Sequence, residues 1–385
     1  MHNIVYITDN NYVLPTKTSI NSIVQNVKDT ELCVNVIAVD VSERNQNELK
    51  NLSSKNVTVK ILEFGNEFVD LGLDHLYVSK AALFKFQLPV IFKDLERILY
   101  VDGDMILNSA FLEIFDFDIS EKYAAVVADM LAMKFEGWHE KIGHERYFNS
   151  GMMYLNLSKL RADMISDKLI EYKKNDKEGH FMDQNALNAV IGSNIMYVSP
   201  KFNMMASCNS KTIKQIYGKV CSEKDIADFY NISEVELKDA LENPAILHVT
   251  SESKVWKNIH SARIDSWIPF VTTDDTLKVA KNWCASISSD LSNQITEQGS
   301  TLQNQFSVHE QRLSQQEARI TDHDRQIADL RGQLDLTRSQ LDATRSQLQA
   351  AQERLESTYN LLVNTRHRTL YGALAWLWHK VFKRR

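Results

Sequence analysis

The chain has few of the residues that interrupt or cross-link a fold. It contains only 5 prolines and 12 glycines in 385 residues, which excludes a collagen-like or low-complexity chain and favours regular elements with short loops. Its four cysteines, Cys33, Cys208, Cys221 and Cys284, include no C-x-x-C pair. That spacing argues against a zinc or dithiol site and suits a reducing compartment. No run of roughly 18 apolar residues occurs, so no segment is expected to span a bilayer. The N-terminus goes directly into Ile4-Val5-Tyr6-Ile7 with no basic segment ahead of it, unlike a secretory signal peptide, so a cytoplasmic location is expected. A basic excess is also missing. The net charge is −6 with histidines neutral, which argues against a nucleic-acid surface.

What is present is a core-forming composition, 44% hydrophobic and 24% charged, arranged as alternating strands and helices. Strands are expected at 4–7, 34–39, 57–62 and 97–101, with helices at 16–27, 42–52 and 79–92 between them. A second group follows: strands at 123–128, 151–155 and 245–249, and helices at 157–173 and 183–191. Alternation of this kind predicts an α/β fold with a mainly parallel sheet. Ligands in such sheets bind beyond the carboxyl ends of the strands, which directs attention to the polar residues just after the first and fourth strands.

The sharpest local feature is Asp102-Gly103-Asp104, directly after Arg97-Ile98-Leu99-Tyr100-Val101. Two carboxylates flanking a small residue at a strand end suit a hard cation, which prefers oxygen ligands and commonly bridges to phosphate. Gly103 would let the backbone turn and a diphosphate come close. Taken alone, the same residues also describe an acidic turn. Asp9 and Asn11, after the first strand, read either as a turn cap or as partners for a base or ribose.

The segment RILYVDGDMIL resembles the strand and D-x-D of glycosyltransferase family 8, and other segments match that family in order. Tyr6 to Tyr12 (YITDNNY) resembles its opening strand and nucleotide-binding turn. Tyr147 to Asn156 resembles its F-N-[AS]-G strand, and Asp183 to Asn188 its D-Q-D-x-L-N. Pro200 to Asn203 resembles its P-x-x-[WF]-N turn, and His248 to Trp256 its H-[FY]-x-G-x-x-K-P-W. The resemblance covers about residues 1–260. It implies a GT-A-like fold and a retaining, UDP-sugar-dependent hexosyltransferase using Mn²⁺ or Mg²⁺. By the same resemblance Asp102, Asp104 and His248 would hold the metal. Thr8, Asp9, Asn11, Tyr12, Lys85, Asn149 and Lys254 would bind nucleotide and sugar. Asp183, Gln184 and Asp129 would serve catalysis. The implied partners are a UDP-galactose or UDP-glucose donor and a glycan or glycolipid acceptor, in lipopolysaccharide or surface-polysaccharide synthesis. The alternatives are an inactive scaffold and a protein glycosyltransferase. Four positions depart from the pattern: Lys85 stands for the usual Arg, Asn185 for the second Asp of D-Q-D, Ser251 for Gly and Val255 for Pro.

The texture changes after about residue 270, giving expected regions of 1–270 (catalytic), 271–305 (helical linker), 306–365 (coiled coil) and 366–385 (tail). Phe306, Leu313, Ile320, Ile327, Leu334, Leu341, Leu348, Leu355 and Leu362 recur every seven residues, which predicts a coiled-coil helix and a homo-oligomer. The second seam is mostly polar. The tail carries six Lys/Arg and no acid beside Trp376 and Trp378. That pattern fits a peripheral helix on anionic lipid.

Overall fold

The computed structural model describes residues 1–64, 80–130, 142, 146–175, 182–206, 222–250, 254–261, 263–316, 330, 332–349 and 353. It has two compact units. One comprises Met1–Trp256 with His260–Asp275, and the other Lys257–Ile259 with Thr276–Arg385.

In the first unit, β1 (His2–Thr8), β2 (Leu32–Ala38), β3 (Val57–Glu63) and β4 (Arg97–Val101) are joined through α1 (Val13–Asn26), α2 (Glu43–Lys50) and α3 (Lys80–Ile91). The remaining strands of this sheet are β6 (Ala124–Ala128), β7 (Phe148–Asn156) and β8 (Met196–Tyr197). The seven-stranded order is β3-β2-β1-β4-β7-β6-β8. Pairs β1–β2, β2–β3, β1–β4 and β6–β8 are parallel. β7 runs antiparallel to both β4 and β6. The expected α/β class and mostly parallel sheet are therefore present, with one reversed strand.

Successive residues of each strand serve opposite faces. Ile4, Tyr6, Leu99, Val101 and Tyr154 pack with Ile20 and Ile23 of α1. Val5, Ile7, Ile98, Tyr100 and Met153 pack with Phe84, Phe86 and Leu88 of α3. Both faces are covered, which is why these strands read as continuous apolar runs rather than alternating ones.

α1 is buried on nearly every side, yet it carries Thr16, Lys17, Thr18, Ser19 and Ser22. Local bonds satisfy them: Thr18 Oγ1 donates to the Leu14 carbonyl (3.0 Å) and Ser22 Oγ to that of Ser19 (2.6 Å). Pro15 lies in the first turn, where a missing N–H breaks no helical bond. Lys17, 4% exposed, is held by Glu48 (2.8 Å) and Asp275 (2.6 Å). Removing the cation from this triad leaves two acids facing one another. Lys17→Met is therefore expected to lower unfolding free energy by about 2–3 kcal/mol, read as a reduced urea midpoint. An unchanged midpoint would show that solvent carries the two acids.

Two sequence expectations need correction. The helix expected at 157–173 is two, α4 (Leu157–Ala162) and α5 (Ile165–Asn175), because Met164 adopts a left-handed φ of 52° that a helix cannot continue through. The strand expected at 245–249 is β10 (Ile246–His248). It joins a separate small sheet, pairing antiparallel with β5 (Met105–Leu107) and parallel with β9 (Met204–Met205). β5 and β9 lacked a recognisable pattern, since two or three residues cannot display alternation. α6 (Met182–Ile191), α7 (Glu223–Tyr230) and α8 (Glu234–Glu242) complete this part. Ser222 and Ser233 start α7 and α8 with capping boxes.

The second unit contains most of a helix spanning Thr273–Gln316, and residues 332–349 are also helical. Gln298, Thr301 and Leu302 line a groove together with Gln340, Leu341 and Thr344 of the same chain. The described heptad positions are thus helical, while a coiled coil between chains is not shown. The tail at 366–385 lies outside the described residues. Among the described residues no helix is long and apolar enough to cross a membrane.

Candidate active site

The reversal of β7 builds the site. Because β7 is antiparallel to β4, its first residues lie beside the last residues of β4: Val101 faces Met152, and Asp102 N–H donates to the Gly151 carbonyl at 2.7 Å. β10 then lies against β5, placing His248 opposite Met105, and Val249 N–H donates to the Asp104 carbonyl at 2.9 Å. Residues 102, 104 and 248, remote in sequence, are thereby fixed by backbone pairing. One ligand atom from each of Asp102, Asp104 and His248 lies within 4.8 Å of the others.

These residues fit a divalent cation. Two carboxylates and an imidazole form a donor set suited to Mn²⁺ or Mg²⁺. The room is kept by Gly151: a Cβ there would meet His248 Cε1 at 2.6 Å and Asp102 Oδ2 at 2.9 Å. Gly103 also has a packing reason that the sequence did not show. A Cβ on it would strike the side chain of Thr16, so the glycine lets α1 pack against the turn.

Each acid of the cluster has a cationic partner. Asp104 sets Oδ1 3.3 Å from His248 Nε2 and Oδ2 2.7 Å from Lys254 Nζ. Burial pushes its carboxyl pKa up, but His248 and Lys254 outweigh this and hold it well below the usual range. Asp102 Oδ1 accepts from the Tyr100 hydroxyl (2.6 Å) and lies 3.3 Å from Lys85 Nζ. Lys85, 9% exposed, also contacts Asp183 at 2.8 Å. Burial alone would lower the Lys85 pKa, yet Asp102 and Asp183 raise it, so the ammonium stays charged. The Lys in place of Arg therefore still joins D-x-D to D-Q.

Asp183 and Gln184 stand in the first turn of α6, beside the start of β7. Ser150 Oγ donates to Asp183 (3.0 Å), and Ser150 N–H to Gln184 Oε1 (3.0 Å). Asp129, just past β6, accepts from Asn149 Nδ2 and Gln184 Nε2, both at 3.1 Å. Asn188, also on α6, brackets Phe148 with bonds to both its N–H (2.8 Å) and its carbonyl (2.9 Å). This side chain substitutes for a neighbouring strand at the start of β7. Asn185 faces the Tyr147 hydroxyl rather than the cations.

The structure separates the residues of the opening turn. Thr8 is 1% exposed. Its hydroxyl accepts from Thr16 and donates to the Asp9 carbonyl, so it seats the turn internally. Asp9 Oδ1 caps the turn by accepting from Asn11 N–H and Tyr12 N–H, both at 2.9 Å. The Asn11 side chain is exposed. Tyr12 meets Trp256 edge-on at 5.6 Å, and Lys254 Nζ lies 5.6 Å over the Trp256 ring. Val255 is fully buried, so the segment carrying Lys254 is anchored by packing despite the absent proline. Ser251 lies outside the described residues. Tyr100, Ser150, Gly151 and Asn203 were given no role from sequence. All four sit inside quoted motifs, which was the available signal.

Residues 3–260 match the profile of Glycosyl transferase family 8. The chain belongs to this family. Family 8 relatives include general stress protein A of Bacillus subtilis, 24% identical over 273 residues that cover 67% of this chain and 88% of that protein. The lipopolysaccharide 1,3-galactosyltransferase of Salmonella typhimurium is 26% identical over 238 residues, covering 57% of this chain and 68% of that one. Of several other relatives the chain spans only 58–62% of the length. The fold matches the crystal structure of galactosyltransferase LgtC in complex with donor and acceptor sugar analogs, with a TM-score of 0.58 and 21% identity over 70% of this chain and 95% of that one. Family 8 membership and the GT-A-type fold thus account for residues 3–260.

Proposed function

We propose that the chain transfers galactose or glucose from a UDP-sugar to a glycan or glycolipid acceptor, with retention of configuration, in lipopolysaccharide or surface-polysaccharide synthesis. The observation that supports this most directly is the meeting of the Asp102–Asp104–His248 cluster with Lys85, Asp183, Gln184 and Asp129 where β4 ends beside the start of β7. A cation held by Asp102, Asp104 and His248 would supply charge stabilisation for the departing diphosphate. Lys254 is placed to share that task as a point charge, exchanging its Asp104 contact for phosphate. Tyr12 and the turn from Asp9 to Asn11 would take the nucleoside, with Thr8 supporting them from below.

Asn149, Asp129 and Gln184 form a donor–acceptor surface suited to sugar hydroxyls. Asp183 is ion-paired to Lys85 and hydrogen-bonded by Ser150, which makes it a poor nucleophile. That favours a positioning role for Asp183 and attack by the acceptor hydroxyl from the face the diphosphate leaves. Asp104→Asn tests the metal assignment: it keeps shape and removes a charge. Transfer should fall by two orders of magnitude or more, on the order of the loss of one electrostatic stabiliser, while the melting temperature changes little. Near-normal transfer in saturating Mn²⁺ would refute the assignment.

We read the second unit as a self-association element on the cytoplasmic side of a membrane, with residues 366–385 as a lipid-facing tail. Ile295, Phe306, Leu334 and Leu341 are about half exposed, an apolar display that association would cover. Light scattering of the full chain at micromolar concentration is expected to give a mass above the 44.3 kDa of one chain. A monomer would overturn this part alone.

A further inference from the structure

The hydrogen-bond chain behind the cluster has a direction set by chemistry. It starts at the Gly151 backbone N–H, which can only donate. The Asn149 side-chain atom 3.0 Å away must therefore be its oxygen. That same Oδ1 lies 2.9 Å from the Asn203 amide, and two oxygens cannot bond, so Asn203 presents Nδ2. Its own Oδ1 then faces His248 Nδ1 at 2.9 Å. An amide oxygen only accepts, so Nδ1 carries the proton. With the ring protonated both nitrogens donate, Nδ1 to Asn203 and Nε2 to Asp104; in the neutral ring the shorter Nδ1 contact keeps its proton and Nε2 is left with the lone pair. Asn203 is 1% exposed and Asn149 9%, so bulk water cannot reverse the pattern. On its other side Asn149 donates to Asp129, which also accepts from Gln184.

We propose that Asn203 is a positioning residue. It fixes His248 as the Nδ1–H tautomer, the neutral form able to offer Nε2 to a cation. It also ties that choice, through Asn149, to the Asp129–Gln184 pocket. An unconstrained neutral imidazole prefers the opposite tautomer, so Asn203 works against the intrinsic bias of the ring. The tautomer follows from the shorter of the two ring contacts, 2.9 Å at Nδ1 against 3.3 Å at Nε2; its benefit to catalysis rests on the metal reading of the cluster. A partner of this kind on a ligating histidine sets ring orientation and basicity, and its loss commonly costs about 10–100-fold in metal affinity.

The test begins on the unaltered, metal-free, ¹⁵N-labelled chain. Long-range proton–nitrogen correlation spectra, assigned with a His248→Gln control, should show neutral His248 protonated at Nδ1. Protonation at Nε2 would overturn the proposal without any variant of Asn203. Asn203→Leu should then let the ring revert and weaken Mn²⁺ binding, followed by electron paramagnetic resonance, by about 10–100-fold. Asn203→Asp keeps an acceptor for Nδ1 and should restore the tautomer and most of the Mn²⁺ affinity. It places an oxygen against Asn149 Oδ1, so the donor KM should rise more than kcat falls. Unchanged tautomer and Mn²⁺ affinity in Asn203→Leu would also overturn the proposal. An Nδ1–H ring in a protein that takes up no Mn²⁺ would uphold the tautomer and refute the metal reading instead.

Discussion

Gly151→Ala is expected to abolish transfer in a chain that still folds, because one added methyl would occupy the space in which three functional side chains meet. A Cβ at this position lies 2.6 Å from His248 Cε1, 2.9 Å from Asn149 Oδ1 and 2.9 Å from Asp102 Oδ2. All three are closer than a real Cβ contact allows, so His248 and Asp102 must move apart. Overpacking of this kind costs about 1–3 kcal/mol in stability, which a packed α/β domain survives. The geometric cost is larger. His248 cannot shift without breaking its bond to Asn203, and Asp102 is fixed by Tyr100 and Lys85. Mn²⁺ affinity should fall by about 100-fold, as when the support of metal ligands is lost, and UDP release from UDP-galactose or UDP-glucose should fall with it. Full Mn²⁺ affinity in a folded Gly151→Ala chain would mean that the cation does not sit where Asp102, Asp104 and His248 meet.

The sequence carried much of this site because strand ends announce themselves. Arg97–Val101 is an apolar run that stops at two acids, and the structure has that strand with those bounds. Ser42 before α2 is a sequence-level cap and does accept from Asn45 N–H. What was not legible is whatever depends on pairing. The antiparallel direction of β7 leaves no trace in its composition, yet it alone brings Asn149, Ser150 and Gly151 to the D-x-D end. β5 and β9 are too short to show a period. Gly103 was recognisable as necessary, but its packing role was not, since its neighbour Thr16 lies in a helix distant along the chain. Asn203 shows the same limit: its motif could be quoted, but its task depends on the side chains it bridges. Burial of polar residues on α1 was equally unreadable, because nothing local says that Lys17 will meet Glu48 and Asp275.

Lys85 is where the largest combined loss in stability and activity is expected. Its ammonium bridges Asp183 at 2.8 Å and Asp102 at 3.3 Å, with the Tyr100 ring 4.9 Å below it. Lys85→Met preserves the apolar stem and removes the charge, leaving two acids against one another beside a third, Asp104. Breaking a buried pair by deleting one partner costs about 3–5 kcal/mol. Partial exposure of Asp102, at 30%, places this case at the lower end. Transfer should fall by at least about 100-fold even where the variant is fully folded, since Asp183 and the D-x-D lose their common tether. Lys85→Arg keeps the charge and should recover most of the stability, though its fork need not restore the same geometry. Urea midpoints, with transfer assayed well below the melting temperature, separate the two effects. A Lys85→Met chain with parental stability and only a modestly raised donor KM would mean that the bridge is incidental and that Asp183 is positioned by Ser150 alone.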